Sequence, residues 1–333
     1  MALLIQGFFK KDFLMNKTAT IMPQSLSYTL ASKVKDYFIL IKFTLSFLVV
    51  FSCVICYLLA PNIQYDLLSV ILLFIAGMCI TGSANAINQT VERNTDSLMK
   101  RTAGRPVAAG RMSVNEAWTF AIIIGSVGVI IMAYWFNLAS AILSLFSLFL
   151  YAFIYTPLKR VNSISVIVGA FPGALPCLIG WVAGTGFISP FATFQGTLYT
   201  GEVAHFINIG GYILFAIQFL WQFPHFWAIA WLAHKDYEKA GFRLLPSQAG
   251  PTKFSAIQTV IYSMMMVPVG MLPYYFNIGG ILSFWILLFC NLWMVYVSIM
   301  LVVKMNAAAA RKVMFSSYFY LMIVFLALLF DKV

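Results

Sequence analysis

Nine long apolar runs constrain this 333-residue chain more than any other feature of its sequence. A helix needs about 20 mostly apolar residues to cross a bilayer, and backbone in lipid has to form helices or a closed barrel. The runs show no strand-like alternation, so we predict an all-α polytopic membrane protein with nine transmembrane helices in one bundle. The runs lie at approximately 39–60, 67–87, 117–136, 138–156, 163–184, 209–231, 254–273, 278–301 and 314–330.

The region before the first run lacks the pattern of a cleavable signal peptide. Its apolar start, MALLIQGFF, is followed rather than preceded by lysines, and no small-residue cleavage site comes next. We therefore expect two parts, a cytosolic N-terminal tail at 1–38 and a transmembrane domain at 39–333.

Lysine and arginine residues gather on one side of the predicted spans. Cytoplasmic loops of membrane proteins are enriched in these residues. Here they occupy the tail and the loops after helices 2, 4, 6 and 8, whereas the loops on the other side hold none. We expect a cytoplasmic N-terminus, a C-terminus on the opposite side and a central cavity that faces the cytosol. We attribute the formal charge of +11 to this asymmetry, and the charge also attracts the protein to anionic lipid. We therefore expect no nucleic-acid partner.

The stretch NQTVERNTDSLMKRTAGRP, residues 88–106, concentrates charge directly after an apolar run. Asn88, Glu92 and Asp96 recur every four residues, so on a helix their side chains share one face. Two carboxylates and an amide oxygen suit a hard cation such as Mg²⁺, which proteins usually hold together with substrate phosphates. The stretch predicts a metal–diphosphate site; the alternative is an ordinary positively charged loop with ion pairs on a helix surface. Basic side chains that suit phosphate oxygens follow: Lys100, Arg101 and Arg105.

A second loop of mixed charge, AHKDYEKAGFRLLP after helix 6, is predicted on the same side of the membrane as the first stretch. Asp236 is its clearest acid, and we expect the two loops to face a shared cavity. His225, within WQFPHFWA, lies at membrane depth. An ionisable residue there marks a functional site by default, but a neutral histidine hydrogen-bonded to another helix is the alternative, and the sequence leaves both open.

These motifs resemble those of the UbiA-type intramembrane prenyltransferases. The first stretch is similar to that family's first polar motif, an Asn and two acids at four-residue steps followed by R-T-x-x-R-P, and YTPLKR resembles its Y-x-x-x-K element. FPGALPCLIGW, the segment 221–246 and the terminal ARKVMFSSYFYLMIVFLALLFD are similar to the haem-farnesylating branch of the family. The chain departs from the common pattern at Glu92, where Asp is more frequent, and at Asn94, where an acid is common.

The resemblance implies a reaction in which a farnesyl group passes from farnesyl diphosphate to a vinyl group of haem b, giving haem O and diphosphate. It implies Mg²⁺ as the cofactor and Tyr155 as a residue that steadies the diphosphate or an allylic cation. It also implies that His225 positions the haem. The implied metal ligands are Asn88, Glu92, Asp96 and Asp236, and the implied diphosphate-binding residues are Lys100, Arg101, Arg105 and Lys159.

The resemblance further implies a bacterial cytoplasmic (inner) membrane location, with haem A synthase or oxidase assembly proteins as downstream partners. Two other functions stay open. One is a prenyltransferase of the same type that acts on a quinone or chlorophyll precursor. The other is a membrane transporter, because broken helices and polar residues at the membrane midplane are typical of that class. Polar residues here gather at the cytosolic ends of helices 2, 4 and 6, which favours an enzyme.

Overall fold

The computed structural model describes residues 30–61, 63, 65–197, 203–247 and 249–333. Asp36–Val333 forms one compact unit, which is the helical bundle. The predicted tail, 1–38, falls outside the described residues up to residue 29, so its boundary with the membrane domain stays a prediction. The helices are α1 Leu30–Leu40, α2 Phe43–Leu59, α3 Leu67–Val91, α4 Arg93–Asp96, α5 Val114–Ile131, α6 Leu138–Phe149, α7 Thr156–Leu158, α8 Ile164–Thr185, α9 Gly210–Leu232, α10 His234–Lys239, α11 Lys253–Tyr275, α12 Ile281–Lys304 and α13 Ala307–Phe330.

The prediction of a polytopic helical membrane protein is confirmed. By length and composition, eight helical stretches in the described ranges can cross a membrane, and their bounds follow the predicted runs. The first predicted run, 39–60, differs, because its helix α2 joins α1 at a bend of 51°. Counting this bent pair as one span gives the predicted nine.

The bend between α1 and α2 has a backbone cause. Lys42 adopts a left-handed conformation with φ of 48°, which interrupts a right-handed helix. Carbonyl groups freed at such a break in a membrane need new donors, and α3 supplies them. Gln89 Nε2 donates to the carbonyls of Ile39 and Leu40 at 2.8 and 2.9 Å, and Asn85 Nδ2 donates to the Ile41 carbonyl at 3.3 Å.

Two helices widen into π-helical turns, over Met132–Phe136 at the end of α5 and over Leu150–Tyr155 at the end of α6. The second turn precedes Pro157, which has no N–H to continue the α-helical ladder. A π turn changes the direction of the side chains that follow it and is frequent at functional sites. Here it sets the direction of Tyr155, the predicted catalytic tyrosine.

A short antiparallel hairpin follows α8 and was not predicted. Strand β1 (Thr193–Thr197) pairs with β2 (Val203–Ile207), with Thr193 opposite Ile207 and Gln195 opposite His205. Its five-residue strands are too short for a periodic pattern to stand out from an ordinary loop. The hairpin lies between two spans and leaves the helical class of the bundle unchanged.

Helices α8 and α9 form the buried centre of the bundle. They pack on each other, and α2 packs on α8 while α11 and α13 pack on α9. Small residues allow close approach, since a Cβ on Gly180 of α8 would collide with the Cys53 carbonyl of α2. This centre fixes where the C-terminal ends of α3, α6 and α9 meet. The predicted site residues lie at or just beyond those ends.

Candidate functional site

The three residues of the first motif that offer oxygen ligands, here called its oxygen donors, are Asn88, Glu92 and Asp96. They share one buried helix face. Glu92 N donates to the Asn88 carbonyl at 2.9 Å, and Asp96 N donates to the Glu92 carbonyl at 2.8 Å. The helical hydrogen-bond pattern therefore runs from α3 into α4, although Glu92 itself departs from helical geometry. The relative exposures of Asn88, Glu92 and Asp96 are 1, 4 and 0%. The predicted common face exists, and it points into the protein rather than to solvent.

Each of these donors is held by a basic side chain from another part of the chain. Lys159 Nζ lies 2.9 Å from Glu92 Oε1, in a pair that is almost fully buried. Arg105 Nη1 reaches both oxygens of Asp96, at 2.7 and 2.6 Å. Lys42 Nζ donates to Asn88 Oδ1 at 3.0 Å. We call these three contacts the acid–base cluster.

Local structure places each base of the acid–base cluster. The left-handed turn between α1 and α2 carries Lys42. The hydroxyl of Thr102 donates to the Asp96 carbonyl at 2.9 Å and turns the loop after α4 back, so that Arg105 returns to Asp96. Lys159 follows α7 directly, and its carbonyl accepts from Arg243 N at 3.1 Å.

Burial and charge act together on the two groups outside the membrane spans. Burial raises the pKa of the Asp96 carboxyl, and the Arg105 guanidinium offsets part of that rise. Burial works against the charged form of Lys159, but the Glu92 carboxylate outweighs it and the pKa of the ammonium group is raised. The contact with Glu92 therefore favours the ammonium form of Lys159.

Tyr155 lies against the acid–base cluster, and its predicted role stays a prediction. The Lys159 ammonium is 4.5 Å from the centroid of the Tyr155 ring. The centroids of the Tyr151 and Tyr155 rings are 5.3 Å apart. The ring also meets Gly169 of α8, where a Cβ would come within 2.6 Å of it. The ring face of Tyr155 is thus already presented to a cation.

The second loop reaches the first stretch through aromatic side chains. Tyr237 OH accepts from Arg101 Nη2 at 3.0 Å, and Phe242 packs against Met99 in a small buried cluster. Phe242 also lies 5.9 Å from the Lys159 ammonium. The two loops, which we expected to face a shared cavity, are therefore in direct contact.

The remaining predicted site residues of these loops lie outside the acid–base cluster. Asp236 is partly buried on α10, next to the Tyr237 that makes the contact between the loops. Lys100 is exposed, and the guanidinium of Arg101 lies over the Tyr237 ring at 5.6 Å rather than against a carboxylate. The proposed roles of Asp236 and Lys100 remain predictions.

The donor set of the acid–base cluster fits a hard metal ion only in part. No three acidic, histidine or cysteine side chains of the described ranges are grouped so that they could share one ion. Two carboxylates and one amide oxygen are the available ligands on the α3–α4 face. Mg²⁺ is commonly bound by one or two carboxylates with substrate phosphates completing its shell, so these residues suit a metal that arrives with a diphosphate.

His225 is buried on α9 and bonded to α13. Its Nδ1 is 2.8 Å from Ser317 Oγ, and that hydroxyl donates its own proton to the Met314 carbonyl at 2.6 Å. Ser317 Oγ must therefore accept from an Nδ1–H of His225, which leaves Nε2 as the nitrogen with a lone pair. The hydrogen bond to another helix, one of the two sequence-based interpretations, is present. It also fixes the tautomer in which Nε2 can accept a bond or bind a metal.

Sequence reasoning missed two residues of the site, Lys42 and Tyr237. Lys42 had a usable signal, because a lone lysine within an apolar run is unusual and marks a functional position. Tyr237 had none, since a tyrosine in a charged loop is ordinary. Its contact with Arg101 depends on how two distant loops meet.

Comparisons with known proteins identify the family of the chain. The model of the UbiA prenyltransferase family matches residues 49–327. The chain is 43% identical over 304 residues to the protoheme IX farnesyltransferase of Cytophaga hutchinsonii, covering 91% of this chain and 100% of that protein. It is 39% identical over 306 residues to the protoheme IX farnesyltransferase of Christiangramia forsetii, covering 91% and 95% of the two proteins.

Solved structures share the fold. A structure of digeranylgeranylglyceryl phosphate synthase matches with a TM-score of 0.70 at 21% identity, over 90% of this chain and 98% of that one. A UbiA homolog from Archaeoglobus fulgidus bound to GPP and Mg²⁺ matches with a TM-score of 0.60 at 16% identity, over 88% and 99%. With a family match over most of its length and relatives that align from end to end, the chain belongs to the UbiA prenyltransferase family.

Proposed function

We propose that this chain transfers the farnesyl group of farnesyl diphosphate to a vinyl group of haem b, giving haem O and diphosphate. Relatives that align with nearly the whole chain are protoheme IX farnesyltransferases. The observation that carries the proposal is the acid–base cluster, in which three bases from separate elements meet oxygen donors on one buried helix face. The pairs are Lys42 with Asn88, Lys159 with Glu92, and Arg105 with Asp96.

The acid–base cluster suits a metal diphosphate because its partners can be exchanged. When the substrate enters, the bases turn from the protein's oxygens to those of the diphosphate. The carboxylates they release then become free for a cation. Arginine and lysine are common partners of phosphate oxygens, and no new charge has to be buried unpaired.

Mg²⁺ is the metal we assign to the site. Asn88, Glu92 and Asp96 would hold it together with diphosphate oxygens, and Asp236 would join from the second loop. When bound, the ion supplies Lewis-acid stabilisation of the leaving diphosphate. The UbiA homolog bound to GPP and Mg²⁺ supports this choice.

The chain's own residues would assist the reaction at its two charged centres. The allylic C–O bond breaks, and the diphosphate leaves with the bonding electrons, stabilised by Lys42, Arg105 and Lys159. The ring faces of Tyr151 and Tyr155 shelter the allylic cation from water. The vinyl group's π electrons then form the new C–C bond. Water adds to the resulting cation beside the pyrrole and releases a proton, which completes the hydroxyethylfarnesyl group.

His225 is proposed to position the haem. Its Nδ1–H is held by Ser317, so Nε2 is available as an axial ligand, which is a common role of histidine toward haem iron. Its depth within α9 separates it from the diphosphate-binding bases at the helix ends. That separation suits a large acceptor lying beside the donor.

Product analysis tests the proposal directly. Purified protein in lipid nanodiscs is incubated with haem b, farnesyl diphosphate and Mg²⁺, and the extracted haems are analysed by mass spectrometry. We expect a haem heavier by one farnesyl group and one hydroxyl, and none after chelation of the metal. Prenylation of an aromatic acid or of a chlorophyll precursor in its place, with haem b left unchanged, would overturn the proposal.

We further propose the bacterial inner membrane as the location, with the acid–base cluster at the cytoplasmic end of the bundle. The distribution of Lys and Arg supports this orientation, which puts the N-terminus in the cytoplasm and the C-terminus on the opposite side. The product would pass to a haem A synthase or to oxidase assembly proteins.

A further inference from the structure

Arg101 differs from the other bases of the site. Lys42, Arg105 and Lys159 each hold an oxygen donor of the acid–base cluster. Arg101 forms its side-chain hydrogen bond with the Tyr237 hydroxyl at 3.0 Å, and among the described residues it forms no ion pair. Arg101 is exposed, and its guanidinium keeps further N–H donors. A guanidinium in this state is ready to bind an anion from outside the protein.

The surroundings of Arg101 lead away from the acid–base cluster and toward His225. The hydrogen-bond partner of Arg101, Tyr237, lies on α10, which directly follows α9, the helix that carries His225. The Tyr318 ring packs edge-on against the imidazole of His225, with centroids 4.9 Å apart. On its other side the imidazole is stacked on Trp221 at 4.7 Å. Aromatic rings therefore flank the His225 imidazole, and Arg101 contacts the next helix of the chain.

The depths of the two residues match one extended ligand. His225 lies seven residues before the end of α9, about 10 Å from that end along the helix. Arg101 lies in the loop region where this end of the bundle finishes. A ligand that uses both residues must be extended, with an anionic group at one edge and an acceptor for a nitrogen lone pair further into the bundle.

We infer that Arg101 serves the acceptor rather than the diphosphate: its guanidinium, with the Tyr237 hydroxyl, binds a propionate carboxylate of the haem whose iron faces His225. The inference rests on the proposed function and deepens it, because it divides the four bases between two substrates. Lys42, Arg105 and Lys159 bind the diphosphate of the farnesyl donor. Arg101 selects an acceptor that carries a carboxylate. Arginine's planar fork matches a carboxylate with two parallel hydrogen bonds.

Binding without turnover tests the inference. Haem b is titrated into the full chain in nanodiscs without farnesyl diphosphate, and the Soret band gives the Kd. We expect R101Q to weaken haem b binding about tenfold, the loss of one charge-assisted contact, and R101K to fall between R101Q and wild type. The dimethyl ester of haem b, which lacks free carboxylates, should bind R101Q and wild type equally.

R105Q is the matched control, since it also removes one guanidinium from the same loop. It should weaken the binding of farnesyl diphosphate with Mg²⁺ and leave the Kd for haem b unchanged, whereas R101Q should show the opposite pattern. H225A should shift the Soret maximum of bound ferric haem, and R101Q should not. Melting curves of all variants verify that each is folded.

The outcomes separate this inference from the proposed function. If wild type makes haem O but R101Q binds haem b as tightly as wild type, the role of Arg101 is refuted and the reaction stands. The role of Arg101 is also refuted if R101Q weakens only diphosphate binding. If wild type makes no haem O and shows no Soret change, the proposed function fails and this inference fails with it.

Discussion

Lys42 occupies an unusual position for a lysine, since it lies within an apolar run and breaks the helix that the run would otherwise form. Its ammonium lies on Asn88, which in turn donates to the Thr156 hydroxyl at 3.2 Å. The left-handed backbone at Lys42 costs about 1–2 kcal/mol for a residue with a side chain. A position that keeps this cost and also holds a lysine within an apolar run is best explained by its ligand.

Lys42→Met tests that explanation. We expect kcat/KM for farnesyl diphosphate to fall about 10- to 100-fold, because one charge-assisted contact to the leaving group is lost. Lys42→Arg should recover part of the activity. The exposed Lys304→Met is the control for removing a lysine, and it should behave as wild type. Equal turnover in Lys42→Met and wild type would remove Lys42 from the diphosphate site.

The two carboxylates of the cluster should respond differently to conservative change. Asp96→Ala should abolish prenyl transfer, because the metal loses a charged ligand and Arg105 loses its partner. Glu92→Asp should retain activity, since it keeps the charge, whereas Glu92→Gln should not. Haem O formation by mass spectrometry and melting in detergent measure the two effects separately. Near-normal turnover in Asp96→Ala would exclude its assigned role.

The four-residue spacing of Asn88, Glu92 and Asp96 was sufficient to predict their common face, because hydrogen bonding between neighbouring turns fixes it. The partners of these residues could not be predicted in the same way. Lys42 is 46 residues from Asn88, and Lys159 is 67 residues from Glu92. Such contacts depend on how α1, α3 and α7 meet, which no local pattern contains.

At the scale of elements, the π-helical turn before α7 connects helix geometry to chemistry. The prediction of the span 138–156 was correct in extent, but hydropathy carries no information on whether a turn is α- or π-helical. The turn directs the Tyr155 ring so that it meets both the Lys159 ammonium and Gly169 of α8. The same limit applies to the bend at Lys42 and to the hairpin β1–β2, which are local departures inside or beside correctly predicted spans.

Gly169→Ala tests the packing of that tyrosine. The added Cβ would lie 2.6 Å from a rigid ring carbon of Tyr155, and overpacking of this kind costs about 1–3 kcal/mol. We expect a fall in kcat together with a small loss of thermal stability, because the ring must shift from its present position beside Lys159. Gly104→Ala, where a Cβ meets open space, is the control and should change neither quantity. Unchanged kcat in Gly169→Ala would show that the position of Tyr155 is not critical.

At the scale of the whole molecule, the arrangement of charge defines the two ends of the bundle. The three loops that build the site meet at one end, through Lys159, Arg243 and Arg101. The other end carries the hairpin and the C-terminus. There Lys332 donates to the carbonyls of Leu58 and Ala60 at 2.7 and 2.8 Å. The ends are therefore chemically distinct even before a membrane is considered.

Reporter fusions along the chain test the orientation of these ends. We expect positions near 100, 160, 240 and 307 to report from the cytoplasm, and positions near 62, 195 and 275 from the other side, because Lys and Arg are retained on the cytoplasmic side. A fusion in the segment 185–208 that reports from the cytoplasm would reverse the proposed topology.

The pairing of every oxygen donor with a base also has a thermodynamic consequence. A diphosphate that bound alone would draw the bases away and leave Glu92 and Asp96 buried without a counter-ion. A metal that bound alone would take the carboxylates and leave Lys159 and Arg105 without their partners. Each ligand removes the penalty that opposes the other, so their binding free energies are coupled. Because such coupling is reciprocal, the metal must raise the affinity for the diphosphate by the same factor as the diphosphate raises the affinity for the metal.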